Sequence, residues 1–462
     1  MNTYPIQKLS DAMGGKLILG GGDALVESGV STDTRSLVPG ALFVALSGEN
    51  FDAHDFLDQA VDAGAAGLVV RDLPDGLDPG RCAVIQVNDT LLALQKLAHW
   101  YRGKLDVVVI GITGSNGKTS TKDFTSSVIG QRYQVHATKG NLNNHIGLPL
   151  TVLEADDDDD VLVVEMGMNH SGEIAPLCEI AQPHIGIITN IGHAHIEFMG
   201  SREAIAEEKG ALARSLPEMG TLLVTAGCEF ADYFGARSHA RSVPVGNGRG
   251  VIRAEGLQLT EAGSEFELVI DGEESSHVQL AVAGKHMVNN ALLAAGAGWV
   301  LGLTPEELAC GMEAVQLTSG RLRCFDHDGI TVYDDTYNAN PDSMRAAIGV
   351  VADLATSNGS VRTVVLGTMG ELGCFSEEMH HQVGAYAAQR SLRGVSGGAE
   401  AAGIAEGARE GGAPEVEHFD QYEDAARWLR ETLQAGDVIL FKGSRTAAVE
   451  QVMNQVFPEN EN

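Results

Sequence analysis

The chain has 462 residues, 44% of them hydrophobic, enough for about three domains, each with its own core. Its 63 Asp and Glu against 31 Lys and Arg leave a net charge of -32. A field of that sign repels phosphodiester backbones and anionic membranes, which argues against nucleic-acid binding and against a helicase or translocase.

Part of the acidity is a run at 156–160, read as a solvated loop rather than a metal site. The six cysteines, Cys82, Cys178, Cys228, Cys310, Cys324 and Cys374, include no C-x-x-C pair, as suits free thiols in a reducing compartment. The N-terminus has no charged-then-apolar leader pattern, and no apolar run approaches the length of a membrane span. A cytoplasmic protein that does not insert into membranes is expected.

Residues 1–88 read as a first α/β unit: strands over 41–46, 67–70 and 82–87, with a helix over 54–63. Arg35, beside Asp33 and Thr34 in a polar turn, suits either an anionic ligand or an ion pair that locks the turn; the residues do not decide between them.

A second unit, 89–318, opens with a helix over 91–101 and a β-branched strand ending near Ile112. Gly114-Ser115-Asn116-Gly117-Lys118-Thr119-Ser120 follows, then a helix through Val128. Glycines let backbone N–H groups close on a phosphate, the helix N-terminus favours the anion, lysine supplies a point charge and threonine a Mg²⁺ ligand. Ile112 stands where the usual loop has its first glycine, with Gly111 one place early; nucleotide binding is still the better reading than an incidental glycine turn.

Asn141, Asn143 and Asn144 crowd the next loop, which suggests a ligand-facing segment, with turn chemistry the alternative. Glu165, straight after a strand over 161–164, occupies the place where nucleotide enzymes hold Mg²⁺. A strand over 185–188 empties into a segment where His193, His195 and Glu197 share a face if the backbone is extended. With no cysteine nearby, a hard cation fits better than zinc. Lys209, on a helix over 202–216, reads by itself as a solvated lysine. Residues 220–280 look strand-rich, and an Ala-rich helix is expected over 291–301.

The third unit, 319–462, has a strand over 331–333 that ends in Asp334-Asp335-Thr336-Tyr337-Asn338-Ala339-Asn340. Two more strand-loop units lie at 364–372 and 438–445; the second puts Lys442 and Arg445 at an expected helix start, suited to a substrate carboxylate. No strand is assigned within 394–412, a run of Gly, Ala and Glu, and no internal repeat is found.

Eleven stretches taken together, among them STDTRSLVPGALFVALSGENFDAHDF, GITGSNGKTSTKD, GNLNNHIGLPLTVL, EMGMNHSGEI, TNIGHAHIEFMGS, EEKGAL, GKHMVNNALLAA, SGRL, DDTYNANPDSM, GTMGELG and LFKGSRTAAVE, resemble the Mur ligase family of ATP-dependent amide-forming ligases. That family uses a shorter GxxGK[ST] loop, which accounts for the displaced glycine.

The resemblance implies an α/β fold of three domains. These are a small N-terminal domain (1–88) for a UDP substrate, a central ATPase-like domain (89–318) with a mostly parallel sheet and helices on both faces, and a C-terminal Rossmann-like domain (319–462) for the amine substrate. It implies that Gly114 to Ser120 hold the ATP phosphates, Thr119, Glu165 and His195 two Mg²⁺ ions, and Asn290 the adenine. Arg321 and Asp335 would reach the ribose and phosphates from the third domain. Lys209 matches a lysine that the family carbamylates, overriding its bland reading. Asp33, Thr34 and Arg35 fall where the UDP moiety binds; Asn141, Asn144, Asn338, Asn340, Lys442, Ser444 and Arg445 fall around the other substrates. Met287 departs from the pattern, which usually has asparagine there, and His193 is at a variable place.

The implied reaction activates a carboxylate as an acyl phosphate and passes it to an amine. DDTYNANPDSM with GTMGELG favours the branch that adds D-alanyl-D-alanine to UDP-N-acetylmuramoyl-tripeptide over the one that adds a diamino acid, whose Asn-Pro-Arg motif is absent. A folylpolyglutamate synthase fits the first domain poorly. A nucleotide-binding scaffold without turnover is opposed by Lys118, Glu165, His195 and Lys209. A monomer is expected.

Overall fold

Runs of Val, Ile and Leu that are buried on both faces are the signature of parallel strands covered by helices, and the largest sheet is built on three of them. A computed structural model describes residues 1–48, 51–72, 76, 82–260, 263–272, 275–354 and 360–458. In its nine-stranded sheet, Val108–Thr113 lies between Val161–Glu165 and Ile185–Ile188, parallel to both. Val135–Ala137 closes one edge. Thr221–Thr225, Arg241–Asn247 and Ile252–Thr260 continue the parallel order on the other side, before Gly263–Ile270 and Ser276–Leu280 add an antiparallel ribbon.

Helices Lys118–Ile129, Lys285–Val300 and Pro305–Glu313 pack together as one layer on this sheet, and Thr90–Arg102, Ile174–Ala181 and Arg202–Ser215 as another. Val161 to Val164 are all essentially inaccessible, and each such side chain contributes about 1.5–3 kcal/mol of burial. The helix expected over 291–301 begins six residues earlier, at Lys285. The polar Lys285-His286 start masks its onset in the sequence.

The N-terminal sheet runs Lys16–Leu19, Ala83–Gln86, Gly67–Val70, Leu42–Val44, Val30–Ser31, all parallel except the first pair. The C-terminal sheet runs Arg323–His327, Ile330–Asp335, Val438–Lys442, Arg362–Leu366, Arg393–Gly397, Val416–Phe419, again parallel after one antiparallel edge pair.

The 394–412 region is regular. It contains most of the strand Arg393–Gly397 and the helix Ala402–Glu410. That strand, RGVSG, carries one large apolar residue, so its burial comes from being covered on both sides and leaves little trace in its composition. Among the described residues, no helix is long and apolar enough to cross a membrane.

Candidate active site between the central and C-terminal sheets

Parallel sheets bind ligands at the carboxyl ends of their strands, and here the three central strands end in Thr113, Glu165 and Ile188 side by side. The loop after Thr113 turns on Gly114 and Gly117 (φ 79°), and Gly117 caps the helix Lys118–Ile129. A side chain at 117 is excluded twice over. Its φ is in the left-handed region, and a Cβ would stand 2.7 Å from Asn290 Oδ1. Asn290 is thereby pressed against the phosphate loop from the helix Lys285–Val300, and its Nδ2 lies 3.8 Å from the Met287 sulfur. Met287, at the position where the family pattern differs, is the buried wall behind Asn290.

Lys118 Nζ donates to the Gly114 carbonyl at 2.9 Å, closing the loop on itself. Burial lowers its pKa; Glu165 opposes that shift and Arg321 adds to it. Thr119 Oγ1 donates to Glu165 Oε2 at 2.9 Å, and Asn143 Nδ2 to Glu165 Oε1 at 2.8 Å. Glu165 is 2% exposed, so its oxygens need these donors in place of water. From the C-terminal side, Arg321 Nη2 donates to the same Thr119 hydroxyl at 3.3 Å, its guanidinium stacked 3.9 Å above the Tyr337 ring.

Lys209 does not line the cleft but lies close enough to Lys118 to feel its charge. It is fully buried, and its Nζ has no hydrogen-bond partner. Burial, reinforced by the charge of Lys118 and opposed by Glu208, drives its pKa well below the usual lysine value. The reading of Lys209 as a solvated lysine is therefore wrong: burial disfavours the charged form of this amine. Glu208 is spent on the backbone N–H groups of Gly172 and Ile174, both at 2.7 Å.

His193, His195 and Glu197 do not line up on an extended segment. His195 has φ 61°, and a helical turn, Ile196–Met199, follows at once. His193 turns to Asp342, while His195 Nδ1 sits 2.5 Å from Glu371 Oε2, and this contact, ahead of opposing burial, holds the Glu371 carboxyl below its ordinary pKa. Among the described residues, no three His, Cys, Asp or Glu side chains form a ready-made metal cage; the oxygen donors are Thr119 and Glu165.

Lys442 is not at a helix start. It ends a buried strand, pairs with Asp335 Oδ2 at 2.6 Å and donates to the Asn338 carbonyl at 2.9 Å. The next helix begins only at Glu450, where Arg445 finds its carboxylate at 3.0 Å. Near Lys442, His286 has its pKa lowered to about 4 by burial, with Asp335 opposing and Lys442 assisting, so it is neutral. Asn144 is used in turn chemistry, accepting from the N–H groups of Ile146 and Gly147. Asn338 accepts from Ala339 N–H. Asn141, Ser120, Ser444 and Arg445 line the cleft, whose volume is about 800 Å³.

Asp33, Thr34 and Arg35 are not among the residues lining this cleft. Arg35 forks onto Asp33 in an exposed turn, with contacts of 2.6–3.1 Å, and its hydrogen bonds pull the Asp33 pKa down to about 2. The sequence reading missed Asn143 as a carboxylate partner, Glu371 as the partner of His195, and Tyr337 as the plate under Arg321. Only Asn143 carried a signal, as one of three clustered asparagines.

Comparison with known proteins gives the family. The Mur ligase middle domain matches residues 112–298, and the Mur ligase, glutamate ligase domain, residues 320–445. The UDP-N-acetylmuramoyl-tripeptide–D-alanyl-D-alanine ligase of Bacillus subtilis is 39% identical, with 93% of each chain aligned; that of Escherichia coli is 36% identical, with 98% of each aligned. Among solved structures, MurF from Acinetobacter baumannii superposes with a TM-score of 0.89 at 32% identity over 99% of each chain. MurF from Thermotoga maritima in complex with ADP reaches 0.83 at 27% identity, over 92% of this chain and 96% of that one. The chain belongs to the Mur ligase family, and its α/β architecture is that of these neighbours.

Proposed function

We infer that this member of the Mur ligase family is an ATP-dependent ligase that joins D-alanyl-D-alanine to the terminal carboxylate of UDP-N-acetylmuramoyl-tripeptide. The products are ADP, phosphate and UDP-N-acetylmuramoyl-pentapeptide, a precursor for peptidoglycan. One observation carries the reading. The phosphate loop, the Thr119–Glu165 pair and Arg321 of the C-terminal unit meet within hydrogen-bond distance at the mouth of one parallel sheet.

The chemistry follows from two anions having to meet. A peptide carboxylate oxygen attacks the γ-phosphorus of ATP; the P–O bond to ADP breaks and an acyl phosphate forms. The dipeptide amine then attacks the acyl carbon, sheds a proton, and phosphate leaves with the C–O bonding pair. Such a transfer needs alignment and charge neutralisation more than covalent help. Lys118 and Arg321 supply positive charge at the phosphates, and Asn290, packed against Gly117, is assigned to the adenine.

Thr119 and Glu165 offer the adjacent hard oxygens that Mg²⁺ prefers, and His195 lines the same cleft. We assign the metal to these residues, with a second ion near His195. Bound there, it neutralises the charge of the phosphate oxygens. A buried amine without a hydrogen-bond partner, its charged form disfavoured by burial, is also what carbamylation requires. The Lys209 nitrogen attacks CO₂, an N–C bond forms and a proton leaves, giving a carboxylate that offsets Lys118. We assign residues 1–88 to the UDP moiety, 89–318 to ATP and 319–462 to the amine. The unit of function is taken as one chain in the cytoplasm, where ATP is available and cysteines stay reduced.

The test is phosphate release from ATP with UDP-N-acetylmuramoyl-tripeptide, adding D-alanyl-D-alanine or single amino acids in turn. Release that depends on the dipeptide is expected. Release with a single amino acid instead overturns the assignment and moves the chain to another branch of the family.

A further inference from the structure

The helix Pro341–Asp353 is docked end-on against the phosphate loop by contacts that the chemistry above leaves unused. Asn340 caps this helix with its oxygen, accepting from Ser343 N–H at 3.0 Å. That leaves its amide nitrogen free, and it donates to Asn116 Oδ1 in the phosphate loop at 2.7 Å. Asn116 is itself clamped. Its N–H donates to Asn190 Oδ1 at 3.0 Å, and its carbonyl accepts from Asn190 Nδ2 and Thr189 Oγ1 at 2.9 and 2.6 Å.

Two residues further along, Asp342 crosses to the central unit. Its Oδ2 accepts from the His193 backbone N–H at 2.6 Å and lies 2.9 Å from His193 Nδ1. The carboxylate reaches there because position 192 is glycine: a Cβ at Gly192 would stand 2.3 Å from Asp342 Oδ2 and 2.9 Å from its Cγ. Gly192 has no left-handed φ to explain it. What the position requires is empty space for a side chain of the other unit.

We propose that Asn340 and Asp342 are positioning residues that seat the C-terminal unit on the phosphate loop, and that Gly192 is the socket admitting Asp342. The seat fixes the rotation at which Arg321 reaches Thr119 and the 338–346 wall faces the phosphates. Neither residue touches a reacting atom; their effect is on the population of the assembled cleft. This rests on the ligase reading only for its kinetic test.

Gly192→Ala displaces the Asp342 carboxylate from its two partners, and Asp342→Ala removes it. Each is expected to lower kcat about 10–100-fold, the cost of misplacing a catalytic constellation by about an ångström. The affinity for ADP, read by calorimetry, should stay near wild type. In the double variant the two atoms that the new methyl would clash with, Asp342 Oδ2 and Cγ, are gone, so its loss should equal that of Asp342→Ala rather than the product of the two. Wild-type kcat in Gly192→Ala, or losses that multiply in the double variant, overturns the proposal.

If Gly192→Ala does not fold, Asp342→Asn, which keeps an acceptor for His193 N–H, should retain more activity than Asp342→Ala; equal losses overturn it. Small-angle scattering separates the two readings. With ADP bound, the variants should have a larger radius of gyration than wild type whatever the amine substrate proves to be, and equal dimensions defeat the seat while leaving the ligase reading standing.

Discussion

The phosphate-loop cleft and the Asp33–Arg35 turn start from similar sequence material: short polar stretches after a strand, with a cation beside acceptors. They end differently. At the cleft, Thr119, Glu165 and Asn143 come from three separate segments and are tied together, the first two in near-complete burial, with Arg321 arriving from a different sheet. At the turn, Arg35 and Asp33 are two residues apart, satisfy each other and face water. The first arrangement concentrates field in a dry site, where a fixed charge acts strongly on developing charge. The second is an exposed ion pair, screened and weak. Distance along the chain between the partners, more than the residue types, separates a site from a surface turn.

Lys118→Ala tests the strong side of that contrast hardest. The amine has no structural partner beyond the Gly114 carbonyl, so the melting temperature should hold. Phosphate release should fall about 10³-fold, at the upper end for losing one preorganised donor. Near-normal turnover would dissolve the distinction between cleft and turn.

Lys209→Met comes next and splits activity from stability. The substitution keeps an apolar stem and discards a buried amine that has no partner, a group costly to bury. The variant should melt no lower than wild type while turnover drops about 10²-fold, within the range seen for loss of one electrostatic contributor. Turnover of the wild-type enzyme should also depend on dissolved CO₂. A lower melting temperature with unchanged turnover would mark Lys209 as structural.

Asn143→Ala is milder. It leaves Glu165 with Thr119 as its side-chain donor, and removing an outer-shell partner typically costs 10–100-fold in metal affinity. The Mg²⁺ concentration for half-maximal rate should rise by about tenfold, with the maximal rate recovered at saturating metal. An unchanged Mg²⁺ curve would detach Glu165 from the metal.

How much of this was legible in advance follows the same division. Long apolar strands announced themselves, and Val161–Glu165 and Ile185–Ile188 sit where their composition put them. The strand Arg393–Gly397 was invisible because glycine and serine can be buried without looking apolar. Lys209 looks like any helix lysine because its burial is imposed by elements distant in sequence that pack on one face of Arg202–Ser215; only the resemblance to a family flagged it. His195 was misplaced because a single left-handed residue, which no local signal marked, converts an extended segment into a helical turn. Lys442 reads in the sequence as a cation for a substrate carboxylate because its own carboxylate, Asp335, lies 107 residues away.

The Asp33–Arg35 turn carries the smallest expected effects, and its acid titration sharpens the comparison from the weak side. The Asp33 carboxyl has its pKa lowered to about 2 by the hydrogen bonds and charge of Arg35. A depressed carboxyl contributes its share of stability above the ordinary value of 3.8 and loses it as pH falls through the folded value, so the pair is intact from neutral pH to about 4 and opens between there and 2. In Arg35→Ala the Asp33 resonance should titrate higher than in the wild type but still below 3.8, because the backbone N–H of residue 35 goes on donating to it, and the melting temperature at neutral pH should not change measurably. The kinetic outcome then decides what the turn is for. If Arg35 holds an anionic part of the UDP substrate, KM for that substrate rises while kcat holds, the mark of binding shared equally by ground and transition states. Arg35→Lys would not restore it, since a point charge cannot reproduce the guanidinium fork that engages two oxygens at once. Unchanged KM in both variants would leave the ion pair as a lock on the turn alone, and the UDP moiety would then have to be held by residues elsewhere in the N-terminal unit.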